Sequence, residues 1–205
     1  MLKIWGRDNS TNVKKVRWCA QELGLAYELI PTGGQFGGNR EPHYLALNPN
    51  GLIPCLQDGE LILWESHAIV RYLSARYGKG RFYHAEPQVQ AAIDKWLDWA
   101  MSFNEPYKKV FINLVRTPAD KRDMQAVAEG IAGCEALFAI ANDVLANQPW
   151  LSGATFGIGD IPLGCLAYGW FNLPIERQSH PHLARWYQQL TERDAFRHTV
   201  MLPLS

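Results

Sequence analysis

Residues 48–73 read Asn-Pro-Asn-Gly-Leu-Ile-Pro-Cys-Leu-Gln-Asp-Gly-Glu-Leu-Ile-Leu-Trp-Glu-Ser-His-Ala-Ile-Val-Arg-Tyr-Leu. Asn48-Pro49-Asn50-Gly51 is turn chemistry, because proline fixes φ while Asn and Gly tolerate the left-handed region. Two short apolar runs follow, 53–56 and Leu61–Trp64, separated by Asp58-Gly59, a dipeptide that suits the hairpin turns matching strand twist. Ala68, Ile69, Tyr72 and Leu73 then recur at helical spacing, and Gly78 stands where a left-handed C-terminal cap belongs. The stretch predicts an antiparallel hairpin that runs straight into a helix.

Two details in it point to ligand chemistry. Pro54 opens a strand without an N–H to give the ladder, and it pushes Ile53 into an extended conformation, so the backbone groups of Ile53 are expected to stay open to a peptide. Glu65-Ser66 falls at the helix start, where unpaired N–H groups and the positive end of the helix dipole suit a carboxylate. Each detail taken singly also fits a plain edge strand or a plain cap.

Upstream, Leu2–Trp5 reads as a first strand, residues 7–11 as the loop leaving it, and Val13, Val16, Ala20 and Leu23 as one face of a helix beginning near Asn12 and closed by Gly24. Tyr27–Ile30 is the next strand, and residues 40–47 fit a short second helix. The order is then β-α-β-α-β-β-α, the thioredoxin-like arrangement. The connection 31–39 holds Gly33, Gly34, Gly37 and Gly38 but neither the lysine nor the spacing of a phosphate-binding loop, and reads as surface loop.

The polar stretch 78–87 marks a domain boundary, and everything beyond reads helical. Val89, Ile93, Trp96, Ala100 and Phe103 form one stripe. A second helix is expected to start at Thr117-Pro118 and to carry Met124, Val127, Ile131, Cys134, Phe138, Ala141 and Leu145 on its core face. Residues 158–170 are apolar on nearly all sides, which predicts a central buried helix with Asp160 as its capping group. Leu183, Trp186, Tyr187 and Leu190 belong to a last helix before the tail.

The chain has 205 residues, 47% hydrophobic and 20% charged, with 20 basic against 20 acidic residues interspersed without blocks. That balance leaves no electrostatic footprint for nucleic acid or an anionic membrane. No apolar run approaches a membrane span and no leader precedes the first strand, so a cytoplasmic protein is expected. Cys19, Cys55, Cys134 and Cys165 show no C-x-x-C spacing and read as buried thiols; the histidines stand apart, so no metal site is expected.

The Ile-Pro and Glu-Ser pair on a hairpin–helix unit resembles the N-terminal domain of the cytosolic glutathione transferases. Ser10, Asn12, Lys15 and Val16 are similar to the Ser-x-Asn-x-x-(Lys/Arg)-Val pattern of its serine-type members, and the chain is identified as a bacterial member of that type. The resemblance implies an α/β thioredoxin-like N-terminal domain over residues 1–80 that binds glutathione, and an all-α C-terminal helical domain over 87–205 that contributes the electrophile site. It implies a cis Pro54, Ile53 pairing with the cysteinyl backbone of glutathione, and Glu65 and Ser66 holding the γ-glutamyl end; Asn39 and Arg40 match the place of glycyl-carboxylate contacts. Ser10 is the expected hydrogen-bond donor to the thiolate, with Asn12 as the alternative, and the helix end beside them lowers a thiol pKa whose ordinary value is about 8.5. Apolar character alone marks Phe103, Tyr107 and Phe111 for a small hydrophobic electrophile. The implied function is conjugation of glutathione, as co-substrate without a metal, in detoxification by a cytoplasmic homodimer. The rivals are a glutathione-dependent disulfide or peroxide reductase and a non-catalytic interaction module. Leu52, where relatives often carry a polar residue, and Gly157, where they carry Ser or Thr in a capping box with Asp160, depart from the pattern.

Overall fold

A computed structural model describes residues 1–205. The chain divides into two compact units, Met1–Ala85 with Asp194–Leu202, and Glu86–Arg193 with Pro203–Ser205.

The first unit is built on a four-stranded sheet in the order β2-β1-β3-β4. β1 (Leu2–Trp5) pairs in parallel with β2 (Tyr27–Ile30) across helix α1 (Thr11–Glu22). After the short α2 (Pro42–Leu45), β3 (Cys55–Asp58) pairs antiparallel with β1 and with β4 (Leu61–Trp64), and α3 (Ser66–Tyr77) follows at once. The hairpin register Asp58↔Leu61 leaves a two-residue turn with Gly59 first at φ +60, a conformation that favours glycine. Alternation in β1 buries Leu2 and Ile4, which share a core with Val13, Val16, Leu56, Ile69, Val70 and Leu73.

Four local expectations are corrected here. β3 begins at Cys55 rather than at residue 53, because Pro54 has no N–H for the ladder. Gly78 caps α3 with φ −102, not left-handed; a Cβ there would lie 2.7 Å from Ser74 O and 2.9 Å from Phe82 Cβ, so glycine answers close packing instead. The tail contains a helix the periodicity did not register, α9 (Asp194–Thr199), too short for a repeating stripe. It belongs with the first unit and not with the helical domain drawn over 87–205: Phe196 packs edge-on against Trp18 at 4.8 Å, and Lys14 Nζ donates to Val200 O at 2.8 Å.

The second unit is helical. α4 (Pro87–Trp99) passes through a 3-10 turn, Ala100–Phe103, into α5 (Asn104–Phe111), which ends in a π-helical turn, Ile112–Arg116. The long α6 (Met124–Leu145) starts seven residues later than the Thr-Pro signal suggested. Thr117 Oγ1 donates backward to Ile112 O at 3.0 Å and closes the π turn, while Asp123 is the true cap, accepting from Ala126 N at 2.9 Å. By length and composition α6 would suffice to cross a membrane, contrary to the sequence expectation. Within this unit it buries Val127, Cys134, Phe138, Ala141 and Leu145.

α7 (Asp160–Asn172) is the buried centre, and α8 (Pro181–Thr191) covers it with Leu183, Trp186 and Leu190. Asp160, fully buried, accepts from Leu151 N at 2.7 Å, Ser152 N at 3.3 Å, Gly157 N at 3.1 Å and Trp186 Nε1 at 2.8 Å. The carboxylate thus organises the loop before α7 and ties α8 to it. Buried Glu135 does similar work on α6, bonding His180 Nε2 at 2.7 Å and Gln178 N at 3.0 Å.

Candidate functional site

The register places three chain segments at one end of the sheet. Trp5, the last residue of β1, pairs with Cys55, the first of β3, and Cys55 pairs with Trp64, the last of β4. The loop into α1, the Ile53-Pro54 peptide and the start of α3 therefore converge there. Ser66 Oγ lies 3.4 Å from Asn12 Oδ1, which joins the first turns of the two helices.

The Ile53–Pro54 bond is cis, as the resemblance implied. Tyr44 Oη and Asn48 Nδ2 both donate to Leu52 O, at 2.6 and 2.8 Å, and so brace the residue before Ile53. Neither the N–H nor the C=O of Ile53 has a backbone partner outside helix and strand, and Ile53 belongs to neither. The side chain of Leu52 is exposed.

Glu65 is the only non-glycine residue at positive φ, 70° with ψ 112°, and its carbonyl accepts the first α3 bond from Ile69 N at 2.9 Å. A residue held in that region costs on the order of 1–3 kcal/mol, and such positions gather at ligand clamps. Glu65 is exposed and Ser66 buried, at the end where α3 carries its unpaired N–H groups.

Ser10 is the N-cap residue of α1, with φ −69 and ψ 126, yet its hydroxyl makes no capping bond. Its carbonyl accepts from Lys14 N at 2.8 Å, so the backbone starts the helix while the half-buried side chain is left for other work. Asn39 Nδ2 donates to Gly51 O at 2.8 Å, and Arg40 Nη1 lies 3.3 Å from Asn50 O, which brings the glycine loop against the 50–53 segment. A Cβ on Gly33 would come within 3.2 Å of Ile53 Cδ1, so that loop sits directly on Ile53.

The expectation for Phe103, Tyr107 and Phe111 is corrected. Phe103 is fully buried, tilted against Phe138 at 4.7 Å and edge-on to Trp99 at 5.4 Å, so it is core. Tyr107 is buried with its hydroxyl packed over Gly169 of α7, and burial pushes its pKa up. Only Phe111, stacked on Tyr107 at 5.6 Å, keeps part of its surface accessible. Apolar stripes mark core and pocket alike, and the sequence carries no signal that separates them.

Lys15 entered the sequence reading only as part of the Ser-x-Asn-x-x-(Lys/Arg)-Val pattern, without a role, and His67 not as a site residue at all. Both are buried beside Asn12 and Ser66, with Lys15 Nζ 3.0 Å from Asn12 Oδ1 and 2.9 Å from His67 Nε2. The i,i+3 spacing of Asn12 and Lys15 on α1 was the available signal. All four cysteines are buried, and burial raises the Cys55 thiol pKa to about 11. No group of three or more His, Cys, Asp or Glu side chains is placed to hold a metal ion.

Comparison with known proteins gives the family. The glutathione S-transferase N-terminal domain matches residues 5–82, and the glutathione S-transferase C-terminal domain matches residues 93–194. The chain belongs to the glutathione S-transferase family. This glutathione transferase is 48% identical to "Glutathione S-transferase GstB" of Escherichia coli strain K12 over 100% of both chains. It is 32% identical to "Glutathione S-transferase 3" of Zea mays, covering 97% of this chain and 93% of that one. Among solved structures, the theta class glutathione S-transferase of Xanthomonas axonopodis pv. citri, with glutathione bound, superposes with a TM-score of 0.96 at 49% identity, covering 100% of this chain and 99% of the other.

Proposed function

We propose that this glutathione transferase binds glutathione at the sheet end described above and conjugates its thiolate to small hydrophobic electrophiles. In this reading the cysteinyl backbone pairs with the open N–H and C=O of Ile53. The γ-glutamyl carboxylate sits at the N-terminus of α3 by Glu65 and Ser66, and Asn39 and Arg40 serve the glycyl end. Ser10, with Asn12 beside it, donates to the sulfur and holds it as thiolate, as in serine-type members. In the helical unit, Phe111 is the candidate aromatic contact for the second substrate. The same reading makes the enzyme a cytoplasmic homodimer acting in detoxification, with no metal in the reaction.

The observation that supports it is the Ser66–Asn12 contact at 3.4 Å, which sets the first turn of α1, read here as thiol-activating, beside the first turn of α3, read as carboxylate-binding. Conjugation is favoured over disulfide or peroxide reduction by the burial of every cysteine, because a reductase working through its own sulfur needs an accessible one. Side-by-side turnover of an activated aryl halide and of a glutathione mixed disulfide tests the reading, with calorimetric titration of glutathione alongside. The expected result is binding with conjugation dominant. Dominant mixed-disulfide turnover would favour the reductase, and neither binding nor turnover would leave an interaction module.

A further inference from the structure

The Asn12 side chain is held from beneath. Lys15 and His67 are 4% and 8% exposed, and Lys15 Nζ bridges Asn12 Oδ1 at 3.0 Å and His67 Nε2 at 2.9 Å. An ammonium can only donate, so the Asn12 atom facing it is the carbonyl oxygen and the His67 nitrogen facing it is the acceptor. Ser66 Oγ lies 3.4 Å from the same oxygen. The acceptor end of Asn12 is therefore occupied from two sides, by α1 and by α3. Asn12 itself is exposed in the first turn of α1, so its NH2, on the same carbon as the pinned oxygen, is the amide atom left for a ligand, two residues from the uncommitted hydroxyl of Ser10.

A primary amide left to itself flips, presenting oxygen or nitrogen to a ligand with little preference. Facing a thiolate, only the nitrogen end helps, because the oxygen end repels the charge. Pinning the oxygen removes the wrong orientation before the ligand arrives, which is preorganisation in the strict sense.

We propose that Lys15 is a positioning residue for thiolate formation: held by His67, it fixes the Asn12 amide with its NH2 toward the bound sulfur. The inference rests on the glutathione reading above and adds to it a residue that touches neither substrate. Lys15 meets Asn12 on its own helix and His67 on α3, while Ser66 of α3 meets the Asn12 oxygen from the other side.

The test measures the ultraviolet absorbance of the thiolate in the glutathione-bound, full-length enzyme as a function of pH, for wild type, Lys15→Met and Asn12→Asp, with calorimetric glutathione affinity and melting temperature beside it. In Lys15→Met the apparent pKa of the bound thiol rises by about one unit, a tenfold loss of thiolate on the acid side, while affinity changes much less. Asn12→Asp keeps a partner for Lys15, so the fold is retained whatever becomes of Lys15→Met, but it replaces the donor by a carboxylate and raises the thiol pKa. A residue that merely supports the fold would lower the melting temperature and leave the thiol pKa where it was. An unchanged thiol pKa in Lys15→Met or in Asn12→Asp overturns the inference alone. Absence of any glutathione-dependent thiolate band in the wild type overturns the glutathione reading first, and this one with it.

Discussion

Trp186 of α8 donates its indole N–H to Asp160 Oδ1 of α7 across 2.8 Å, inside a site where the carboxylate is wholly buried. Burial raises the pKa of Asp160, while the donors at Trp186, Leu151 and Gly157 pull it back toward the ionised form. Removing the carboxylate leaves those N–H groups without partners. Asp160→Ala is therefore expected to destabilise the enzyme by at least about 3 kcal/mol in urea unfolding, and Asp160→Asn by less, since one acceptor survives. A loss under about 1 kcal/mol for the alanine variant would refute this role.

The glycine at 157 has a local cause. A Cβ on Gly157 would meet Ser152 Oγ at 2.8 Å and Ser152 Cβ at 2.9 Å, so the serine side chain already fills the space that a Ser or Thr at 157 would use. Restoring the family's residue with Gly157→Ser should cost about 1–3 kcal/mol by overpacking, not stabilise the helix start. Adding Ser152→Gly should recover part of the loss, visible as coupling in a double-mutant cycle. Additive single effects would show that the contact is relieved some other way.

Ser10 gives a prediction in which activity and stability part company. Because its hydroxyl makes no capping bond, Ser10→Ala should shift the unfolding free energy by no more than about 0.5 kcal/mol, whereas a true cap would lose about 1. Loss of one donor to the developing thiolate should lower kcat/KM for aryl halide conjugation by about 100-fold. Full activity in the variant would transfer the donor role to Asn12.

Asp58 clamps the hairpin to α3, accepting from Tyr72 Oη at 2.6 Å and Tyr77 Oη at 2.5 Å. Partial burial works against the charged form, but the two hydroxyl bonds and nearby Arg76 outweigh it and hold the carboxyl below its ordinary value of 3.8. A lowered carboxylate pKa stabilises the fold above the unfolded value, and that contribution fades as pH falls through the folded one. Burial first, then the bond to Asp58, raises the Tyr72 pKa to about 12, so its contribution is whole below the ordinary tyrosine value of 10.0 and fades toward 12. Thermal melts from about pH 6 down to 2 should thus show a steeper acid decline in the wild type than in Asp58→Asn. Parallel curves would mean that the clamp carries no linkage.

Reading the chain residue by residue located every strand of the first unit to within two positions, and the two helices that flank the site. Period-2 and period-3.6 patterns report burial on one face, which β1 shows by alternation, whereas β2, β3 and β4 do not alternate and were legible as short apolar runs between turn residues. The errors fall where that report is silent. The Thr117-Pro118 signal is a sound helix start by local rules, but the hydroxyl found a carbonyl behind it and the helix waited for Asp123. Gly78 has the composition of a left-handed cap and the surroundings of a tight contact. Phe103 and Phe111 look alike as letters, and only their neighbours make one core and the other partly accessible.

Local chemistry was enough to mark Ile53-Pro54, Glu65-Ser66 and Ser10 as candidates, because turn, strand-entry and helix-start preferences act over a few residues and are written in consecutive letters. Packing had to decide that Lys15 and His67, separated by 52 positions, meet under Asn12. It also decided that the last helix returns to α1 through Phe196 and Trp18. Those relationships depend on which buried groups find partners once water is excluded, a condition that exists only when the helices have docked.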